Sequence, residues 1–386
     1  MPSEAEVQNE IYAGGLDDVR PPLPTDLTRL EAVAKTYLSD PAYGYVAGAA
    51  GSGSTARANR DAFERWRIVP RLLRDVDDAT IATEVLGTPM RAPVMLAPIG
   101  ALSIYHRDAE RLTARAAGSV DAPMILSTMA STSLEDVAKV GDGPKWFQLY
   151  WPRDRDLAAS FVSRAAAAGY RALVVTIDTY RLAWRPLDLD NAFLPFLLGE
   201  GLANYFSDPV FQQRIGGPVT ADRVADGIGH WRTIFGNPAL TWADLGWLRE
   251  RWTGPIVLKG IQHPDDARRA ADAGVDGIIV SNHGGRQIDG AIASLDALPG
   301  IVDAAGDRLD ILFDSGIRGG GDVVKALALG AKAVLVGRPY VYGLAIAGET
   351  GVRHVLRCLY AETELTMTLA GASRPAEVSA DMLVRV

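Results

Sequence analysis

The run Ser281-Asn282-His283-Gly284-Gly285-Arg286-Gln287 sets a proton acceptor beside a carboxylate clamp. An imidazole takes a proton from a bound molecule, a guanidinium three residues on grips a carboxylate, and two glycines admit a ligand close to the backbone. A lone histidine is more often structural than catalytic, but one at the end of an apolar run earns the catalytic reading. His106, His230, His263 and His354 are read as structural, with His106 near enough to the first apolar run to border a pocket. Lys259 also ends an apolar run. A lysine there either forms a Schiff base, as in class I aldolases, or sets positive charge against a cofactor ring. Two arginines, Arg185 and Arg286, with two tyrosines, Tyr45 and Tyr150, suit a small 2-oxo or 2-hydroxy carboxylate. The bland alternative makes Arg185 a surface residue paired with Asp188 or Asp190.

These groups need a frame that brings distant segments together. Eight short apolar runs recur at 94–100, 124–128, 146–151, 173–178, 256–260, 277–282, 311–316 and 333–338. They are continuous rather than alternating, which marks strands buried on both faces. Ala-rich amphipathic helices are expected at 156–168, 263–273 and 321–329, with Gly169, Gly274 and Gly330 just past their ends. Strand and helix alternating eight times predict a (β/α)8 TIM barrel, with a doubly wound sheet as the second choice. The chain reads as one domain, 1–386. A helical leader (1–90) precedes a barrel (91–345) that carries a long lid loop after strand four (about 186–240), and C-terminal helices (346–386) follow.

A lid is expected because the long insertion follows a strand C-terminus; packing against a neighbouring subunit is the rival reading. Its apolar stretch 193–198 is far too short to span a membrane. The glycine stretch 48–53 lacks a preceding strand and a following Gly-Lys-Ser/Thr, so it is read as a turn. Trp151, Trp184, Trp242, Trp247 and Trp252 show no even spacing and are read as core or lid packing.

Active sites of such barrels lie at the strand C-termini, which nominates Pro98, Ile99, Gly100, Ser127, Gln148, Tyr150, Thr176, Asp178, Lys259, Ser281, His283, Asp314, Gly316, Arg318, Gly337 and Arg338. Polar groups at so many strand ends imply one large, polar, planar ligand. Gly316 and Gly319 to Gly321 after run seven, with Gly337-Arg338 after run eight, form a common barrel phosphate arrangement in which Arg318 and Arg338 supply the forks. A formal charge of −8 from 39 basic and 47 acidic residues leaves no basic field for nucleic acid. One cysteine, Cys358, excludes an intramolecular disulfide and a multi-cysteine zinc site, and a cytoplasmic setting fits best. The acidic N-terminus does not read as a signal peptide.

Taken together, Tyr45 to Gly48, Asn59-Arg60, Ala97-Pro98-Ile99, the segment 146–150, Thr176-Ile177-Asp178, the segment 258–261, the His283 motif, the segment 314–318 and Gly337-Arg338-Pro339 resemble the FMN-dependent L-2-hydroxy acid oxidases. The likeness runs from about Tyr12 into the C-terminal helices. The leader 9–12, Trp184-Arg185-Pro186 and the segment 204–211 look most like the lactate 2-monooxygenases of that family. The resemblance implies FMN as cofactor, O2 as acceptor, no metal and a homotetramer or homo-octamer. It makes His283 the base, with Asp178 in the catalytic set, and gives Arg185 and Arg286 the substrate carboxylate. Tyr45, Tyr150, Met129 and Tyr205 then line the substrate. Lys259 would stand at the flavin N1/O2 edge, which favours its electrostatic role. Ser127, Gln148, Thr176 and Ser281 would bond the ring, and Asp314, Gly316, Arg318, Gly337 and Arg338 the ribityl phosphate. Gly100, where family oxidases carry alanine, would leave room beside the flavin that retains the oxo acid for decarboxylation in place. Met129, where relatives carry Trp or Tyr, would admit a side chain larger than methyl.

Overall fold

A computed structural model describes residues 3–386. The eight apolar runs are eight parallel strands: β1 (Val94–Leu96), β2 (Met124–Ser127), β3 (Lys145–Leu149), β4 (Leu173–Thr176), β5 (Ile256–Ile261), β6 (Gly277–Val280), β7 (Asp310–Phe313) and β8 (Ala333–Val336). They pair in sequence order, and β8 pairs with β1 to close the barrel. The three expected helices fall at Arg155–Ala167, Pro264–Asp272 and Gly320–Ala328, and Gly169, Gly274 and Gly330 follow their ends with positive φ.

Alternation along each strand sends every second side chain into the barrel, and the interior has two layers. The lower layer is apolar: Ile125, Trp146, Val174, Val257, Ile279 and Leu312 plug the barrel as one buried cluster. Two residues further along the same strands, Ser127, Gln148, Thr176, Lys259, Ser281 and Asp314 form a buried polar layer toward the strand C-termini. The apolar floor thus excludes water from below while the polar layer faces the site.

Neither end of the chain is purely helical, contrary to the sequence expectation. The leader holds helices Glu6–Leu16, Leu30–Ala34, Asp40–Ala47 and Ser54–Glu64, but continues into strand Trp66–Ile68 and a hairpin of Thr83–Val85 with Thr88–Met90. The hairpin closes the barrel floor: Val85 and Met90 join the interior cluster, and Trp146 Nε1 donates to Thr88 Oγ1 at 3.0 Å. Three-residue strands carry too little periodicity to stand out from their flanks. At the other end, helix Arg338–Leu369 breaks at Ala347 and Gly348, and strand Leu383–Arg385 returns to pair antiparallel with Trp66–Ile68.

The insertion between β4 and β5 is folded rather than open. Its helices Ala203–Phe206 and Pro209–Arg214 are pinned to helix Arg155–Ala167, where Arg164 bonds Asp208 at 2.8 Å and the Asn204 carbonyl at 2.9 Å. Asn204 in turn ties the insertion to the end of β2 through the carbonyls of Ser127 and Thr128. The stretch before it differs. Leu187, Leu189, Leu197 and Leu198 are exposed, and so is Trp184, which sequence reading had packed inside.

Trp146→Ala would empty the centre of the barrel floor and leave the Thr88 hydroxyl without its donor. The expected loss is about 3–5 kcal/mol of unfolding free energy, read from denaturant midpoints; a loss under about 1 kcal/mol, the ordinary scatter for surface changes, would contradict the plug.

Candidate active site

One cavity opens at the C-terminal mouth of the barrel. Its wall includes Tyr45, Pro98, Ile99, Gly100, Met129, Tyr150, Arg185, Lys259, His283, Arg286, Asp314, Gly316, Arg318, Gly337 and Arg338. These come from the leader, from seven strand ends and from the lid, so closure of the barrel is what assembles them.

His283 follows β6 with φ at 58°, in the left-handed region that side chains other than glycine seldom adopt. Several bonds hold it there. Its backbone N–H donates to Ser281 Oγ at 3.0 Å, and Gly284 N–H donates to Ser315 Oγ at 3.0 Å. Asn282 and Asn59 exchange amide bonds of 2.8 and 2.7 Å, and Asn282 Oδ1 also accepts from Gly285 N–H at 3.0 Å. A Cβ at Gly285, whose φ is 75°, would fall 2.6 Å from the Ala56 nitrogen, so only glycine lets the leader helix approach this turn.

The imidazole Nδ1 lies 2.9 Å from Asp178 Oδ1 and 3.2 Å from Thr179 Oγ1. The Thr179 hydroxyl donates to Asp178 Oδ1 at 2.8 Å. With Nδ1–H donated to the carboxylate, Nε2 is the free basic nitrogen. Burial pushes the His283 pKa below the ordinary value, and Asp178 offsets that only in part. Burial opposes ionisation of Asp178, but His283, Lys259 and Thr179 outweigh it and hold the carboxyl below its ordinary value. The result is a neutral imidazole on a carboxylate, the arrangement of a general base.

Lys259 Nζ lies 2.8 Å from Asp314 Oδ2 and donates to Ser281 Oγ at 2.9 Å. Burial favours the neutral amine, but Asp314 and Asp178 raise the pKa overall. A Schiff base needs the neutral amine, so a lysine held charged favours the electrostatic role.

Arg185 is 6% exposed, which removes the surface reading. Its Nε donates to the Arg286 carbonyl at 3.0 Å and its Nη2 to Gln287 Oε1 at 2.8 Å; Asp188 is 4.0 Å away. Arg286 lies over the Tyr45 ring at 5.2 Å and donates to the Gly48 carbonyl at 2.7 Å. The glycine stretch 48–53 is therefore a turn, as expected, and one that braces the site's arginines.

Arg318 and Arg338 stand by the Gly316 and Gly337 turns, and among the described residues no carboxylate pairs with either guanidinium. Arg338 spends its donors on the carbonyls of Val46, Gly284 and Gly48; burial, with Arg286 and Arg318 nearby, pulls its pKa down to about 10. Uncompensated positive charge at two glycine turns fits the phosphate of FMN, and buried Lys259 fits a ring that gains negative charge.

Other expectations change. Gly319, Gly320 and Gly321 do not face the cavity. A Cβ at Gly319 would meet both Glu362 carboxylate oxygens at 2.9 Å, and one at Gly320 would run into the Glu362 backbone, so these glycines give room to the C-terminal helix. Tyr205 is wholly buried away from the cavity, edge-on to Phe161 and Phe211 at 5.0 and 5.8 Å. The lid aromatics that reach the cavity are Phe196 and Phe235. Ser127, Gln148 and Thr176 lie outside the cavity wall and bond one another, from Ser127 Oγ to Gln148 Oε1 at 3.0 Å and from Gln148 Nε2 to Thr176 Oγ1 at 2.9 Å. Ser281 orients Lys259 and His283. The room expected at Gly100 is already taken: a Cβ there would fall 2.7 Å from the Met129 Cβ. His106 packs at Gly348 of the broken C-terminal helix rather than at the cavity. Thr179, Tyr105 and Asn59 escaped the strand-end rule, whereas Asn282 and Ser315 lie within the ends of strands six and seven. Thr179 sits one residue past a nominated position, while Asn59 and Tyr105 belong to other segments of the fold.

A closed (β/α)8 barrel with an imidazole–carboxylate base, twin arginines and a phosphate cradle at one mouth defines a flavin-type oxidoreductase of small carboxylates. The chain belongs to the FMN-dependent dehydrogenase family, whose model matches residues 34–385. It is 47% identical over 384 residues to an FMN-dependent alpha-hydroxy acid dehydrogenase of Penicillium citrinum, covering 98% of this chain and 95% of that one. An L-lactate oxidase of Lysinibacillus sphaericus is 44% identical over 354 residues, covering 91% and 90% of the two chains. A crystal structure of a mandelate oxidase with (S)-4-hydroxymandelic acid superposes with a TM-score of 0.83 at 39% identity, covering 94% of this chain and 98% of that one.

Asp178→Asn should keep the yellow protein but slow its anaerobic reduction by substrate about 10²-fold or more, because the imidazolium formed on proton uptake loses its partner. In the unaltered enzyme, base is lost as His283 protonates. The reduction rate should hold at neutral pH and fall only as pH drops through a value below 6.5, the ordinary histidine pKa. Stopped-flow reduction across pH checks both, and an acid limb centred above pH 7 would contradict them.

Proposed function

We propose that this FMN-dependent 2-hydroxy acid oxidoreductase is an oxidase that converts an L-2-hydroxy acid to the 2-oxo acid with O2 as acceptor and hydrogen peroxide as product. The observation that carries it is the His283–Asp178 pair, 2.9 Å apart, in one cavity with Arg185 and Arg286. The two guanidiniums clamp the substrate carboxylate, and the Tyr45 and Tyr150 hydroxyls, kept neutral by burial, donate to it and to the 2-hydroxyl. This places the 2-hydroxyl at His283 Nε2, which takes its proton while Asp178 balances the new charge. FMN would be held by Lys259, Asp314, Gly316, Arg318, Gly337 and Arg338 and would supply the two-electron acceptor for the hydride leaving C2, with O2 as the final oxidant. Leu182, Phe196, Phe235 and Met129 keep water from the reacting carbon.

Met129, unbranched and adaptable, supports acceptance of side chains from methyl to aryl, so L-lactate and L-mandelate are both in the proposed range. Decarboxylation in place loses support because the space at Gly100 is filled by Met129. Anaerobic L-lactate or L-mandelate should bleach the flavin band, and readmitted air should yield about one peroxide per oxo acid. Acetate and CO2 in place of peroxide would make the enzyme a monooxygenase. No bleaching by any 2-hydroxy acid would remove the reading.

We further propose a cytoplasmic homotetramer or homo-octamer. Among the described residues no helix is long and apolar enough to cross a membrane. Trp184, Leu189 and Leu198 leave an apolar lid surface that supports self-association. Light scattering should give four or eight times 41.3 kDa; a monomer mass would refute it.

A further inference from the structure

A second cavity, of about 410 Å³, lies beside the reaction cavity between the outer surface of β4 and β5 and the returning end of the lid. Trp151, Val175, Trp242, Leu245 and Leu258 form its apolar wall, with Asn237 and Thr241 as polar points. Among the described residues, no charged side chain lines it. The reaction cavity next door is lined by Arg185, Lys259, His283, Arg286, Arg318 and Arg338. The space is half open to solvent, and a concave apolar cleft of this size with a few polar points has the character of a small-molecule site.

Tyr150 and Thr179 belong to both walls. The Tyr150 ring packs edge-on to Phe235 at 5.7 Å, and the neighbouring Gly236 comes so close to the Tyr180 carbonyl that a Cβ there would lie 2.5 Å from it. The partition is thus one side-chain layer thick, backed by a tight backbone crossing. Thr179 is also the hydroxyl that bonds Asp178 and faces His283 Nδ1. Whatever fills the second cavity therefore abuts Thr179, whose hydroxyl bonds Asp178, the partner of the base.

We propose that this cavity is a separate binding site for a neutral, apolar, ring-sized molecule, and that its occupancy changes turnover through Tyr150 and Thr179 without blocking substrate. The absence of charge on the wall excludes the carboxylate end of a 2-hydroxy acid, since a buried carboxylate needs a partner. The partition argues for a distinct molecule over the substrate's own side chain. Binding stands apart from the oxidase reading; only the effect on turnover rests on it.

Benzyl alcohol is the probe. Calorimetric titration of the holoenzyme should show one saturable site per chain. Leu245→Trp and, independently, Leu240→Trp fill the cavity from elements outside the catalytic set, and each should weaken binding at least tenfold. Saturating probe should change kcat for L-lactate at least twofold with little change in KM. Non-saturable binding, or binding that neither variant weakens, would overturn the site. Competition with L-lactate would overturn its separateness and make the space an annex for the substrate side chain. If the protein binds the probe but no 2-hydroxy acid bleaches it, the site stands and the oxidase reading fails.

Discussion

The hydrogen bond from His283 to Asp178 joins the ends of β6 and β4 across the intervening β5, and much of the upper barrel is arranged to permit it. β5 passes beneath at Gly260, where a Cβ would fall 2.7 Å from the Asp178 Cβ, so a side chain there would push the carboxylate away. On the far side, the Asn59–Asn282 amide pair and the Ser315 hydroxyl hold the turn in which His283 is left-handed. Asn59 lies on the leader, so the N-terminal segment both supplies Tyr45 to the cavity wall and braces the turn that holds His283.

Charge balance follows a similar division. Lys259 has its counter-ion in Asp314, and the base has Asp178, so these groups are satisfied within the chain. Arg318 and Arg338 have carbonyls but no carboxylate. Buried positive charge of that kind is costly until an anion arrives. The cofactor phosphate is thus part of the electrostatic design of the fold, and the cofactor-free protein is expected to be the less stable form by mass action.

Both halves of the lid are tied to the rest of the fold. Arg164, Asn204 and Asp208 lock residues 203–214 to the barrel, while the stretch around 184–198 carries Arg185 and Phe196 inward and leaves Trp184, Leu187 and Leu198 outward.

The strands were legible because burial on both faces leaves an unbroken apolar run, and the strand-end rule then named His283, Lys259, Tyr150, Asp178, Arg318 and Arg338 correctly as neighbours. The lid supplied Arg185, while Tyr45 was reached from its residue type and the family likeness. Errors came where a residue's type was right but its direction was not: Tyr205 faces Phe161 and Phe211, and Gly319 and Gly320 face Glu362. The three-residue strands at 66–68, 83–85 and 383–385 were invisible because no period can be read from three residues. The amino-acid order by itself determined the barrel and the inventory of reacting groups, since both depend on local pattern. Which donors stay free for a ligand was decided only in three dimensions, because a buried polar group takes the nearest partner the packing offers, however distant in the chain.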